Sequence, residues 1–214
     1  MVNVNLKPPS LTLSFANKAR SAAEDPAARR FFPILQQGFF VRARVGCTIK
    51  DLLCEQFGVD SDYLKNRITT IFLNGKAIDD AGTSRVGDGA TLALSAAMPG
   101  LVGATMRAGG YYAAMRGAMT HLESGDGGRE EYGHIRIKLF NLLMAEMGPG
   151  FLAHGVIVPG EELAEILSEQ PSVIREGCRR ALLNGEPVDP AKLTAGDLEG
   201  GENDSLRLTV TFEE

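Results

Sequence analysis

The chain has 214 residues, 44% of them hydrophobic and 23% charged, with a formal net charge of −5. That balance is ordinary for a globular protein of one or two domains. It excludes a helical membrane anchor, because no apolar run approaches the roughly 18 residues needed to span a bilayer. It also excludes a disulfide framework or zinc site, because Cys47, Cys54 and Cys178 are few, scattered and without a C-x-x-C spacing.

The start, Met1 to Asn5, carries no basic segment followed by an apolar stretch. No export signal is expected, and a reduced, cytoplasmic protein is. Within residues 1–50 the only acids are Glu24 and Asp25, so the N-terminal part is basic and the remainder acidic. Those basic residues are spread over strands and a loop in a chain that is acidic as a whole, which reads as a solvated surface rather than a nucleic-acid footprint.

In chain order, residues 11–15 alternate apolar and polar side chains and predict a strand. Residues 16–23 have helix-favouring composition, and Asp25 to Pro33 reads as an insertion. Residues 39–45 predict a second strand. Thr48 and Asp51 have the spacing of a helix start, followed by an apolar stripe of Ile49, Leu52, Leu53 and Phe57. Asn74-Gly75 between apolar runs marks a hairpin, because both central residues of a type I′ turn need positive φ. A strand over residues 90–95 closes this half.

The pattern then returns. Residues 135–140 alternate as a strand, residues 141–147 predict a helix, and residues 151–158 predict a second strand bearing His154 on a sheet face. Pro159-Gly160-Glu161-Glu162 starts a helix with acids at its positive end, and Leu163, Ile166 and Leu167 supply its stripe. Asn184-Gly185 repeats the hairpin inside a near-copy of the earlier phrase, Leu73-Asn74-Gly75 against Leu183-Asn184-Gly185. A final strand covers residues 205–212. Each copy is expected to hold four strands and a crossing helix, its own first and last strands lying side by side in parallel.

Phe15-Ala16, Thr48-Ile49, Leu52-Leu53, Leu73-Asn74-Gly75 and Asp88-Gly89, in that order, resemble the β-grasp sulfur-carrier family, which includes the small subunit of molybdopterin synthase and the thiamine-biosynthesis sulfur carrier. The resemblance covers residues 11–100 and, more weakly, 135–214. It implies an α+β protein of two tandem β-grasp (ubiquitin-like) units, each a mixed sheet packed on a helix. The expected boundaries are 1–97 for the first unit, 98–133 for a Gly/Ala/Met-rich connector and linker, and 134–214 for the second.

Carriers of this family work through a slim C-terminal Gly-Gly that a partner adenylates and converts to a thiocarboxylate. Phe212-Glu213-Glu214 does not offer one, so the second copy is not expected to be a carrier. Arg107-Ala108-Gly109-Gly110 looks like such a tail placed internally, and cleavage after Gly110 would release it. The alternative is a small-residue connector or buried helix, preferred because Gly-Gly pairs are common and nothing marks a cleavage site. Between Gly89 and Leu122 there is no Asp or Glu, and Arg107 and Arg116 are the fixed charges of the connector. With the Gly109 and Gly110 amides, these two arginines form a candidate anion or acidic-peptide site; the alternative is surface pairing with carboxylates.

Other chemistry is sparse. His121, His134 and His154 do not share an i, i+4 spacing, and no phosphate-binding loop, nucleophile elbow or H-E-x-x-H helix occurs. Cys47 at a helix start has either a lowered thiol pKa or an idle buried thiol, the latter preferred, and Cys54 and Cys178 are expected in the core or half-buried. The expected protein is therefore no enzyme: a ubiquitin-like interaction or scaffold module with a protein partner, no cofactor or metal, no nucleic acid and no membrane. Residues 98–120 are the expected contact of any homo-oligomer. The alternatives are a processed sulfur or acyl carrier ending at Gly110, linked to molybdenum-cofactor or thiamine synthesis, and a binder of small anions between the units.

Overall fold

The computed structural model describes residues 8–16, 25–97, 100–110, 131–169, 171–198 and 205–213. In chain order it contains β1 (Ser10–Ala16), α1 (Pro26–Arg29), α2 (Phe32–Gln37), β2 (Phe39–Val45) and α3 (Ile49–Asp51), which runs into a π-helical turn over Leu52–Gln56. Then come α4 (Ser61–Arg67), β3 (Thr70–Leu73), β4 (Lys76–Ala77), β5 (Thr91–Ser95), α5 (Gly100–Met106), β6 (Glu131–Phe140), α6 (Leu142–His154) and β7 (Val156–Pro159). The chain continues through α7 (Gly160–Glu169), α8 (Ser172–Arg175), β8 (Cys178–Leu183), β9 (Glu186–Val188) and β10 (Ser205–Glu213). Helices and a ten-stranded mixed sheet together make an α+β protein.

Contacts divide the chain into two units, one of residues 40–143 and one of Met1–Phe39 with Met144–Glu214. Within residues 40–143 the strands lie in the order β4-β3-β5-β6-β2. β3 is antiparallel to β4 and β5, while β5 and β6 are parallel, with Thr91 opposite Arg136 and Ser95 opposite Phe140. Alternation puts Ile71, Leu73, Leu92, Leu94, Ile137 and Leu139 on one face, where all are buried. Ile49, Leu52 and Leu53 are likewise buried, and the expected capping box is present: Asp51 N–H donates to Thr48 Oγ1 at 3.1 Å. Each such fully buried Leu or Ile contributes about 1.5–3 kcal/mol of transfer free energy.

The other unit orders its strands β7-β10-β1-β8-β9. β1 and β10 are parallel, with Ser10 opposite Arg207 and Ala16 opposite Glu213; β7 lies antiparallel to β10, and β8 to β1. Leu11, Leu13, Phe15, Leu206, Leu208 and Val210 are buried, as are Leu163, Ala164 and Leu167 of α7. Phe15 stands edge-on to Phe31 and stacks on Phe212, both at 6.0 Å between ring centroids.

The parallel pairs correct the sequence expectation. The first strand of the first copy, β1, pairs with β10, the last strand of the second; the first strand of the second copy, β6, pairs with β5. Each first strand thus pairs with the other copy's last strand, and the two units are not threaded alike: beside β3 lies the last strand β5, beside β8 the first strand β1. Contacts divide the chain at residues 39/40 and 143/144.

A second correction concerns residues 151–154, which end α6 rather than begin a strand. Gly155, at φ 91°, closes the helix by donating its N–H to the Phe151 and Leu152 carbonyls at 3.1 and 3.2 Å. His154 is therefore an exposed residue of the last helical turn, not a sheet-face histidine. The insertion of the first copy forms α1 and α2, with Asp25 capping the Ala27 N–H at 2.8 Å and Pro26 in the first turn. The helix predicted over residues 16–23 lies outside the described residues from residue 17 onward.

Candidate functional site

Alternation leaves one face of the residue 40–143 sheet without the aliphatic core. Its outward positions are Phe40, Arg42 and Arg44 on β2, Phe72 on β3, Thr91, Ala93 and Ser95 on β5, and His134, Arg136, Lys138 and Phe140 on β6. Register lines up Phe72, Ala93 and Lys138 side by side across three strands, and sets Ser95 opposite Phe140. Together with Asn141 these residues line an open cavity of about 540 Å³. The lining combines the apolar Phe72, Ala93 and Phe140 with the polar Thr91, Ser95, Lys138 and Asn141.

Asn141 is held there by the positive φ of 55° that turns the chain after β6, and by its amide, which donates to Ser95 Oγ at 3.0 Å and to the Ala97 carbonyl at 2.6 Å. Further along the face, the Arg42 guanidinium lies 4.9 Å from the Tyr132 ring centroid, and that of Arg136 lies 5.7 Å from the Phe40 centroid. Tyr132 is 69% exposed. Arg44 approaches Glu55 at 3.9 Å, a surface pair worth little. The face is aromatic and cationic.

The same positions of the other unit differ in chemistry. There the row matching Phe72, Ala93 and Lys138 is Leu182, Thr12 and Thr209. Ser14 and Thr211 stand where Ser95 and Phe140 do, and their hydroxyls bond each other at 3.0 Å. A hydroxyl ladder is the ordinary outward face of a sheet. Phenylalanines and a lysine at matched positions are what sets residues 40–143 apart.

Of the residues expected from sequence, the structure brings Arg107, Gly109 and Gly110 into one turn after α5. Ala108 N–H donates to the Thr69 carbonyl at 2.9 Å, Gly109 N–H to Asp79 Oδ1 at 3.0 Å, and Gly110 N–H to the Arg107 carbonyl at 3.1 Å. Arg107 is exposed and, with Asn66, Arg67 and Thr69, lines a cavity of about 370 Å³. The Gly109 amide that an anion would engage is thus already donated to a carboxylate. Arg116 lies outside the described residues, as does most of the connector beyond Gly110.

Cys47 is buried, its thiol donating to the Arg44 carbonyl at 3.2 Å and accepting from Gln56 Nε2 at 3.4 Å. Cys54 and Cys178 are half-buried, and burial pushes both thiols above their ordinary value. Among the described residues, no group of three or more His, Cys, Asp or Glu is placed to hold a metal ion, and no helix is long and apolar enough to cross a membrane.

The aromatic and cationic face was not found from sequence. The alternation of Ile135-Arg136-Ile137-Lys138-Leu139-Phe140 was visible, but it does not tell which strand lies beside it, and the neighbour is β5 of the other copy. No protein-family model, curated protein or solved structure matches this chain.

Proposed function

We propose that the protein is a non-catalytic, ubiquitin-like interaction module, built from two β-grasp-type units in which each first strand pairs with the other copy's last strand. The observation that carries this reading is the outward face of residues 40–143, where Phe72, Ala93 and Phe140 line a cavity of about 540 Å³ in the place that a hydroxyl ladder fills in the other unit. Sheet faces that keep aromatic side chains toward solvent are suited to docking, since burying such rings supplies much of the energy of an interface. The β-grasp assignment is supported by the parallel central pair β5–β6 flanked by antiparallel β3, in a unit that also carries the helical segment from Ile49 to Gln56. Recruitment to a larger assembly follows from fold-level analogy.

Affinity capture of the tagged full chain at endogenous expression, with wild type and Phe140→Glu compared by quantitative mass spectrometry, tests the reading. A set of partners retained by wild type and depleted from the variant is the expected outcome. Identical sets from both proteins would remove this face from the account.

A further inference from the structure

We infer that the outward face of residues 40–143 takes an acidic protein segment carrying at least one aromatic or large aliphatic side chain. The inference rests on the interaction-module reading and names the class of partner. Its first ground is charge. Outward positions of β2 and β6 present Arg42, Arg44, Arg136 and Lys138, and the acid in these strands is Glu131, at the exposed start of β6. Glu55 approaches Arg44 at 3.9 Å, with a side chain 64% exposed.

The second ground is the apolar cleft beside the cations. Lys138 stands directly across from Ala93 and shares the cavity with Phe72 and Phe140. A partner that satisfies the lysine places an apolar group within reach of both rings. A carboxylate-bearing segment with interspersed apolar side chains has that alternation built in. Arg42, whose guanidinium carbon lies 4.9 Å from the Tyr132 ring centroid, carries the planar fork of N–H groups that meets a carboxylate two bonds at a time.

Single-stranded nucleic acid also seeks cations and aromatic faces. It is disfavoured here on two counts. First, Lys138 is the one charged residue among the described residues that line the cleft, whereas a nucleic-acid backbone needs cations along its whole track; second, the rest of the lining includes Phe72, Ala93 and Phe140, which suit an apolar side chain. A protein segment places few charges and fills the cleft with a side chain.

The test titrates the full-length protein into a short fluorescein-labelled peptide of repeating Glu-Glu-Phe, read by anisotropy, with a labelled oligothymidylate of similar length as the second arm. Saturable binding of the peptide is expected, weakening as salt rises. Lys138→Glu and Phe140→Asp should each weaken it about tenfold or more, whereas Thr209→Glu, at the matched position of the other unit, should leave it unchanged. Lys138→Gln, a milder change, should give an intermediate loss and guards against misfolding of the charge reversal. A flat peptide titration, binding indifferent to Lys138 and Phe140, or tighter binding of the oligothymidylate would overturn the inference. If the peptide does not bind while Phe140→Glu still depletes captured partners, the acidic class falls and the interaction-module reading stands.

Discussion

Asn184 holds Ser10 by two hydrogen bonds: its side-chain oxygen accepts the Ser10 N–H at 2.9 Å, and its own N–H donates to the Ser10 carbonyl at 2.7 Å. Asn74 makes the same pair with Thr91, at 2.9 Å in both directions. The two asparagines share a left-handed backbone, φ 53° and 50°, each followed by a glycine of positive φ. One clasp spans 17 residues and the other 174, so the repeated phrase seats β5 in one unit and the distant β1 in the other. A local turn signal thus fixes a long-range register.

Replacing Asn184 with alanine should destabilise the protein by about 1–2 kcal/mol, from the lost side-chain bond and the poor fit of a Cβ-bearing apolar residue to positive φ. Asn184→Gly keeps the backbone conformation and should cost less, roughly half as much. Urea unfolding of the three proteins measures this. Equal losses for both variants would show that backbone conformation contributes nothing there.

Helix α6 approaches α2 closely enough that a Cβ on Gly148 would collide with Cδ1 of Leu35. Gly148→Ala is expected to cost about 1–3 kcal/mol by overpacking. Leu35→Ala in the same chain should recover part of that loss, giving a non-additive cycle by thermal or urea denaturation. Strictly additive effects would contradict the contact.

Much of the local structure was legible in the sequence, and most of the topology was not. The Thr48–Asp51 capping box and the two Asn-Gly turns were readable because their chemistry is contained within a few residues. Strand partners were misassigned because alternation in residues 11–15 and 135–140 specifies a buried face but no neighbour. Both first strands are parallel-paired, as expected, and each with the other copy's last strand. Residues 151–154 misled for a different reason: Phe151 and Leu152 are as suitable for a buried helix as for a strand, and Gly155 decides the matter. The aromatic and cationic face was invisible because Phe72, Ala93 and Lys138 meet only through that register.

Asp197 offers a pH prediction. The Thr194 hydroxyl and N–H donate to Asp197 Oδ2 at 2.7 and 2.8 Å and hold its carboxyl below the usual carboxylate range. A lowered folded-state pKa contributes stability above the unfolded value, about 3.9, and loses it as pH falls through the folded value. Wild type should therefore lose more of its melting temperature than Asp197→Asn between about pH 6 and pH 3. The group is solvent-exposed, so the difference should be small and should shrink in salt. Parallel pH profiles would show that the Thr194 bonds do not persist in solution.

The turn after α5 bears on processing. Because Ala108 and Gly109 are tied by their amides to Thr69 and Asp79, the Arg107–Gly110 stretch is expected to stay in the intact chain. Intact mass spectrometry of protein from native cells should then give only the unprocessed species. A species ending at Gly110, heavier by an oxygen-to-sulfur exchange, would instead establish the carrier alternative.

In-cell photo-crosslinking compares the two faces most directly, because register makes Ala93 and Thr12 matched positions. A benzophenone amino acid placed at residue 93 should yield discrete adducts with a partner protein, lost on Phe140→Glu, while the same group at residue 12 should yield none. Adducts of equal yield at both positions, or none at residue 93, would contradict the assignment of the docking face.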